Sequence, residues 1–327
     1  MAQAASGSLT PPPRRRAAVL GSPIAHSLSP VLHRAAYAAL GLTDRRYEAI
    51  ELAEQELAGF MATLDASWSG LSLTMPLKRV VQPLLVSQSD LARQVGAVNT
   101  VVQREDGWHG FNTDVHGIVM AIREVAELPP IDAGLVIGGG ATAASALGAL
   151  HELGARRASV AVRAPQRASH LLEVAERLEL DVDLVGLDAA AGVIAGLGPD
   201  AVVVATIPAS AGAELSEVLV TAAAPDASPI LLDVIYDPWP TPLISAWARA
   251  GHRCAHGMEM LLHQAEGQIR LMTGERVDIE VLRRAGLAEL DRRAHAVVPR
   301  PAEQLFEQPA AKSLDQHSST TAGVPPT

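Results

Sequence analysis

Of the 26 lysine and arginine residues in this chain, only Lys78 and Lys312 are lysines. A guanidinium stays protonated at any working pH, whereas a partly buried ammonium can release its proton, so a lysine kept amid arginines is a candidate general acid and base. Lys78 closes the run Leu73-Thr74-Met75-Pro76-Leu77-Lys78. Taken alone, it reads equally as a surviving lysine on an exposed loop. A second signature is Gly138-Gly139-Gly140-Ala141-Thr142-Ala143, a Gly-x-Gly-x-x-Ala turn that follows an apolar run and opens a helical one. Glycines there let backbone N–H groups of a helix start approach a pyrophosphate, which is dinucleotide chemistry.

NAD-binding sheets usually carry an acidic residue at the end of the second strand for the ribose hydroxyls. This chain offers Arg163 there, with Arg167 a turn later. Two guanidiniums suit a 2′-phosphate, so the cofactor expected is NADP; a pair of solvated arginines is the plain alternative.

The elements that must position these groups are legible as alternating patterns. Residues 17–20 read as a strand, a helix runs from Ser29-Pro30 to Gly41, and strands follow near 47–52 and 70–73. Residues 98–103 and 108–111 flank an Asp106-Gly107 turn. From residue 115 the pattern is regular: a helix to Leu128, a strand over 134–137, the glycine turn, a helix to Leu153 and a strand over 158–162. Apolar runs at 183–185, 201–205 and 230–234 alternate with Ala-rich helical stretches, as a parallel sheet covered on both faces requires. Residues 257–272 form an amphipathic helix that would cross back onto the first half. The fold class expected is α/β: an N-terminal α/β substrate domain over 17–115, completed by helix 257–285, and a doubly wound parallel-sheet (Rossmann) domain over 116–256, with a cleft between them. Residues 1–16 and 286–327 are expected to be disordered tails, from their Ala, Ser, Pro, Gln and Thr content.

A composition of 48% hydrophobic residues can bury a large core. No apolar run reaches the ~18–20 residues of a membrane span, and the first sixteen residues lack the apolar core of a secretory signal. A single cysteine, Cys254, cannot make an internal disulfide, which agrees with a reducing, cytoplasmic setting. The net charge of −10 argues against a nucleic-acid surface. His26, His33, His116, His252, His256 and His263 show no paired carboxylates or cysteines at metal-site spacing, so no metal is expected.

Four further motifs carry a resemblance: Gly21 to Pro30 (Gly-Ser-Pro-Ile-Ala-His-Ser-Leu-Ser-Pro), Leu73 to Lys78, Gly96-Ala97-Val98-Asn99-Thr100, and Gly110-Phe111-Asn112-Thr113-Asp114. In this order, with the glycine turn, the stretch around Tyr236 and the helix start at Gly257, they resemble the shikimate dehydrogenase family over residues 17–275. The resemblance implies reversible NADP-linked reduction of 3-dehydroshikimate to shikimate, in the route to aromatic amino acids. It implies that Ser27, Ser29 and Tyr236 hold the substrate carboxylate, and that Asn99, Asp114 and Gln264 hold the ring hydroxyls beside Thr74. Lys78 and Asp114 are then the catalytic pair, with Asp114 orienting the lysine. Gly138, Gly139, Gly140, Ala141, Thr142, Arg163, Arg167, Thr206 and Gly257 would face the cofactor. From the residues alone, Ser29 would also serve as an N-cap, Asp114 as a helix cap, Asn99 as a turn residue, Gln264 as an exposed helix position and Tyr236 as packing.

Two stretches depart from the family pattern, both on the cofactor side. Val162-Arg163-Ala164 stands for the usual Asn-Arg-Thr, and Val204-Ala205-Thr206-Ile207-Pro208 keeps only the threonine of the usual Asn-Ala-Thr-Ser. The rival readings are an NAD-dependent quinate or shikimate dehydrogenase, and a silent relative that binds NADP or a cyclic polyol as a sensor. The partner expected is a small molecule, with no nucleic acid and no membrane, and the chain is either a monomer or a homodimer.

Overall fold

The structure, a computed structural model, describes residues 15–225 and 227–297. Its first half contains β1 (Arg15–Gly21), α1 (Ser29–Ala39), β2 (Arg45–Glu51), α2 (Leu57–Ala62), β3 (Trp68–Leu73), α3 (Leu77–Val80), β4 (Ser87–Gln88), α4 (Asp90–Val95), β5 (Thr100–Arg104) and β6 (Gly107–Phe111). The strands form one sheet in the order β2-β1-β3-β5-β6-β4. β1 pairs in parallel with β2 and β3, while β5 runs antiparallel to β3 and returns as the β5–β6 hairpin through the expected Asp106-Gly107 turn.

The second half opens with α5 (Asp114–Val125), β7 (Ala133–Ile137), α6 (Ala141–Glu152), β8 (Arg157–Val162), α7 (His170–Arg177) and β9 (Asp181–Gly186). It continues through α8 (Ala190–Ala195), β10 (Val202–Ala205), α9 (Ala209–Ala222), β11 (Ile230–Asp233), α10 (Pro242–Arg249) and β12 (Cys254–His256). All six strands are parallel, in the order β12-β11-β10-β7-β8-β9. Strand order reverses at β7, so the crevice for a dinucleotide opens at the carboxyl ends of β7 and β10. Val202, Val203, Val204 and Ala205 are buried on both faces, which is why β10 reads as a continuous apolar run rather than an alternation.

Helix α11 (Gly257–Thr273) joins the halves, packing along α5 and reaching α1, β3 and β5. The α5–α11 approach depends on a missing side chain: a Cβ at Gly117 would sit 2.6 Å from the Met260 carbonyl oxygen. The chain then forms α12 (Ile279–Val297), with Leu282 and Leu290 buried beside Leu32, Met258 and Leu262.

Four expectations need correction. The helix expected over 257–285 is broken at Gly274, which takes φ +82°, into α11 and α12. The helix expected to reach Leu128 ends at Val125, because Ala126 is already extended and Pro129-Pro130 follow. Residues 286–297 belong to α12 rather than to a tail; its apolar face is filled by other helices, so its weak periodicity understated it. At the other end β1 begins at Arg15, whose N–H donates to the Asp44 carbonyl at 3.0 Å. The remainder of both expected tails, Lys312 included, lies outside the described residues.

Candidate active site

Lys78 sits in the short helix α3, set by the Val98 N–H donating to its carbonyl at 2.8 Å. Its ammonium donates to Asp114 Oδ2 at 2.7 Å, with the lysine side chain 10% exposed and the aspartate 5%. Asp114 is the first residue of α5, and its carboxylate caps nothing, because Thr113 holds the N-cap position. Its second oxygen, Oδ1, accepts from Asn99 Nδ2 at 2.7 Å. Asn99 is itself fixed: its Oδ1 accepts from the Thr113 N–H at 2.8 Å and from the Thr100 hydroxyl at 2.8 Å. A buried ion pair is expensive to desolvate, and here neighbouring hydrogen bonds hold the carboxylate in one orientation. The same ammonium lies 3.5 Å from Thr142 Oγ1 at the start of α6, so it touches the glycine turn of the second sheet as well as the first half.

The pair lines a cavity of about 320 Å³. Ser27, Ser29, Thr74, Thr142, Tyr236, Gly257 and Gln264 share its wall. The structure therefore brings together every substrate residue the sequence points to except Asn99, which is 1% exposed and stands behind Asp114. Ser29 is the first residue of α1; Leu28 occupies the N-cap position without a side-chain bond, and Ser27 Oγ accepts from the Ser29 N–H at 3.3 Å. Gln264 is buried, its Oε1 accepting from Asn99 Nδ2 at 3.4 Å. The loop bearing Tyr236 is anchored at Asp233, which accepts from the Thr241 hydroxyl at 2.7 Å and the Ile235 N–H at 3.1 Å. Burial raises the Asp233 pKa above its ordinary value, against the pull of these two bonds.

Reading the sequence missed the floor of this cavity. Ser72 and Gln268 line it. Tyr47 donates to Ser72 Oγ at 2.6 Å and is also hydrogen-bonded to Ser29, Ser72 donates to Gln268 Oε1 at 2.7 Å, and Gln268 Nε2 donates to the Asn99 carbonyl at 3.2 Å. His33 stacks on Tyr47 with ring centroids 3.8 Å apart, and complete burial lowers its pKa to about 3. The clue lay in spacing: Ser72 shares a strand face with Thr74, and Gln268 stands one helical turn beyond Gln264.

On the cofactor side, Gly138 takes φ +121°, and a Cβ there would lie 2.3 Å from Thr206 Oγ1. A side chain at Gly138 would thus fill the space between the ends of β7 and β10, where a dinucleotide must pass. Gly138, Gly139, Arg163 and Thr206 line a groove of about 360 Å³, and Gly139, Arg163 and Arg167 line its continuation. Gly140 is the N-cap of α6 and Ala141 its first residue, which sets the helix start just after β7; of the residues expected to face the cofactor, Ala141 and Thr142 do not line this groove, and Thr142 lines the substrate cavity instead. Backbone donors and guanidiniums fit a phosphorylated dinucleotide. Gly257 lines the substrate cavity rather than this groove.

One grouping of histidine and carboxylates escapes sequence spacing because it comes from two helices far apart in the chain, α5 and α11. Glu124, Glu259 and His263 offer ligand atoms within 4.8 Å of one another. Arg283 from α12 bonds both glutamates, at 2.9 Å and 2.6 Å, and so supplies the positive charge there.

Comparison with known proteins agrees with this geometry. Residues 19–101 match the shikimate dehydrogenase substrate binding domain, and residues 257–285 match the shikimate 5′-dehydrogenase C-terminal domain. Shikimate dehydrogenase (NADP(+)) of Synechocystis sp. is 32% identical over 281 residues, covering 84% of this chain and 96% of that protein. Among solved structures, the shikimate 5-dehydrogenase of Mycobacterium fortuitum is 40% identical with a TM-score of 0.72, covering 83% of this chain and 97% of that one. The shikimate dehydrogenase of Mycobacterium tuberculosis is 38% identical with a TM-score of 0.74, covering 84% and 99%. No helix among the described residues is long and apolar enough to cross a membrane. By fold, by the buried lysine and aspartate at the mouth of a dinucleotide crevice, and by its relatives, the chain belongs to the shikimate dehydrogenase family.

Proposed function

We propose that this protein catalyses the reversible NADPH-dependent reduction of 3-dehydroshikimate to shikimate. The observation that carries the reading is the 2.7 Å Lys78–Asp114 pair, which lines the substrate cavity and lies next to the first turn of α6. Bound NADPH supplies the hydride. As the ketone carbon receives it, negative charge develops on the ketone oxygen, and the Lys78 ammonium delivers a proton there; in the reverse direction neutral Lys78 accepts the hydroxyl proton. Asp114 orients the lysine and accepts from the reacting hydroxyl. Asn99 acts through Asp114, as a positioning residue.

Ser27, Ser29 and Tyr236 suit a substrate carboxylate, because hydroxyls donate to it without adding charge. Thr74 and Gln264 suit the ring hydroxyls; a site built to hydrogen-bond hydroxyls rejects analogues lacking them. Arg163 and Arg167 suit the 2′-phosphate of NADP. The substrate-binding unit is residues 17–115 with residues 257–285, which span α11 and the first part of α12, and the dinucleotide unit is 116–256. The lone Cys254 supports placing the enzyme in the cytoplasm.

The test is steady-state NADPH or NADH formation from shikimate or quinate on the purified full-length protein. Turnover with shikimate and NADP⁺ well above the other three combinations is expected. Preference for quinate with NAD⁺ overturns the substrate and cofactor assignment, and binding of shikimate without turnover overturns the enzymatic one.

A further inference from the structure

We propose that a cavity behind the Lys78 turn, between α3–α4 of the first half and α6–α7 of the second, binds a free phosphate-class anion that clamps the two halves together. Its volume is about 220 Å³. Arg79 and Gln82 enter it from the segment after Lys78, Arg93 from α4, and His170, Glu173 and Arg177 from α7, while Ala141 closes it at the first turn of α6. Helix α4 packs on both α6 and α7, so a ligand here touches the contact between the halves.

Three exposed arginines line one small volume in a chain of net charge −10, and among the described residues Glu173 is the single carboxylate on the wall. Two are braced by the backbone. Arg177 donates through Nε to the Gln94 carbonyl at 2.8 Å, and Arg93 donates to the Gln88 carbonyl at 2.6 Å while pairing with Asp90. Each fork keeps further N–H donors for a ligand. Arg79 has no ion pair among the described residues. His170 supplies the second observation: its Nε2 is shut off from solvent and has no hydrogen-bond partner. Buried polar atoms are rarely left so. Burial, and then the charge of Arg79, lower the proton affinity of this ring, while Glu173 and a bond to the Arg167 backbone act the other way. An anion seated beside Arg79 offsets the positive charge that bears on the His170 ring, so the ring takes up a proton more readily when the site is filled. Fork-shaped donors converging from two sides suit a tetrahedral dianion such as a phosphate monoester.

The cofactor's own phosphates share this chemistry, but the groove lined by Gly138, Gly139, Arg163, Arg167 and Thr206 has no lining residue in common with this cavity. The experiment separates the two sources. Inorganic pyrophosphate is titrated calorimetrically into the full-length protein, with and without saturating NADP⁺, and into Arg79→Ala and His170→Ala. The expected result is one site that persists under saturating NADP⁺, tightens as pH falls, and weakens about tenfold or more in Arg79→Ala, as loss of a charged donor predicts. His170→Ala should lose the pH dependence, and the His170 ring resonance should titrate at higher pH with pyrophosphate present. The proposal is overturned if pyrophosphate competes with NADP⁺, if no binding is detected, or if Arg79→Ala binds as wild type. Should His170→Ala fail to fold, Arg79→Ala and the His170 resonance decide the matter.

Discussion

At the residue scale the decisive contact is Lys78 with Asp114, and its value lies in being both buried and constrained. The carboxylate is held on one oxygen by the lysine and on the other by Asn99, so the ammonium cannot drift without breaking a fixed set of bonds. Replacing Lys78 by Ala is expected to lower kcat by about 10²–10⁴-fold, the usual worth of general acid–base help, with a smaller change in KM. NADPH absorbance at saturating shikimate reads this directly, and near-wild-type turnover removes Lys78 from the mechanism. Asp114→Asn keeps the shape but removes the charge, so the pH profile of kcat should shift; an unchanged profile limits Asp114 to a structural part. Lys78 was legible in the sequence because it is a lysine where arginine is the rule, and Asp114 by its motif. The Tyr47–Ser72–Gln268 chain was not, since each member is an ordinary residue until β2, β3 and α11 bring them together.

At the element scale two contacts carry testable weight. Helices α5 and α11 meet where Gly117 faces the Met260 carbonyl, and α5 also carries Asp114 while α11 carries Gln264. Gly117→Ala forces a Cβ into that contact. Overpacking of this kind costs about 1–3 kcal/mol, so the thermal midpoint should fall and KM for shikimate should rise as the two helices separate; a variant with wild-type stability and KM would contradict the contact. The second contact is α1 against β2 through His33 and Tyr47. His33 is wholly buried with a pKa of about 3, below its unfolded value of 6.5. The unfolded chain therefore binds the extra proton first, and stability is full above the unfolded pKa and declines as pH falls toward the folded one. The slope reaches about 1.4 kcal/mol per pH unit at most. Denaturant unfolding between those two pH values should show this slope, and His33→Gln should flatten it; equal slopes would place the acid sensitivity elsewhere.

At the scale of the whole molecule, two sheets divide the labour. The first presents the hydroxyls of Ser72 and Thr74 to the substrate cavity while α11 adds the amides of Gln264 and Gln268, and the all-parallel second sheet opens a crevice at its switch point beside Gly138 and Thr206. Lys78 reaches across, 3.5 Å from Thr142. Cofactor choice is expected to rest on the carboxyl end of β8, where Val162 and Ala164 leave Arg163 without polar neighbours in the chain and Arg167 shares the groove. Arg167→Ala should raise the KM for NADP⁺ by about 10–100-fold, as loss of a bond to a charged phosphate predicts, and leave the KM for NAD⁺ unchanged. Equal effects on both cofactors would mean that Arg167 supports the groove rather than reading the 2′-phosphate.

The sequence alone determined what rests on local pattern. Strand and helix periods, the glycine turn after an apolar strand, the Asp106-Gly107 hairpin and the lone lysine are each visible within a few residues, because backbone geometry and ionisation chemistry act over that range. The resemblance of four ordered motifs and of the helix start at Gly257 added the expected roles of Ser27, Ser29, Asn99 and Gln264. Tertiary structure decided what depends on distant segments meeting. It made α12 a buried helix instead of a tail, by supplying the apolar partners Leu32, Met258 and Leu262 that its own pattern does not announce. It set Asn99 behind Asp114, assembled Glu124, Glu259 and His263 around Arg283, and left His170 Nε2 without a partner while the charge of the distant Arg79 acts on its ring. Burial and electrostatic pairing are properties of the space around a side chain, and that space is filled by residues far away along the sequence.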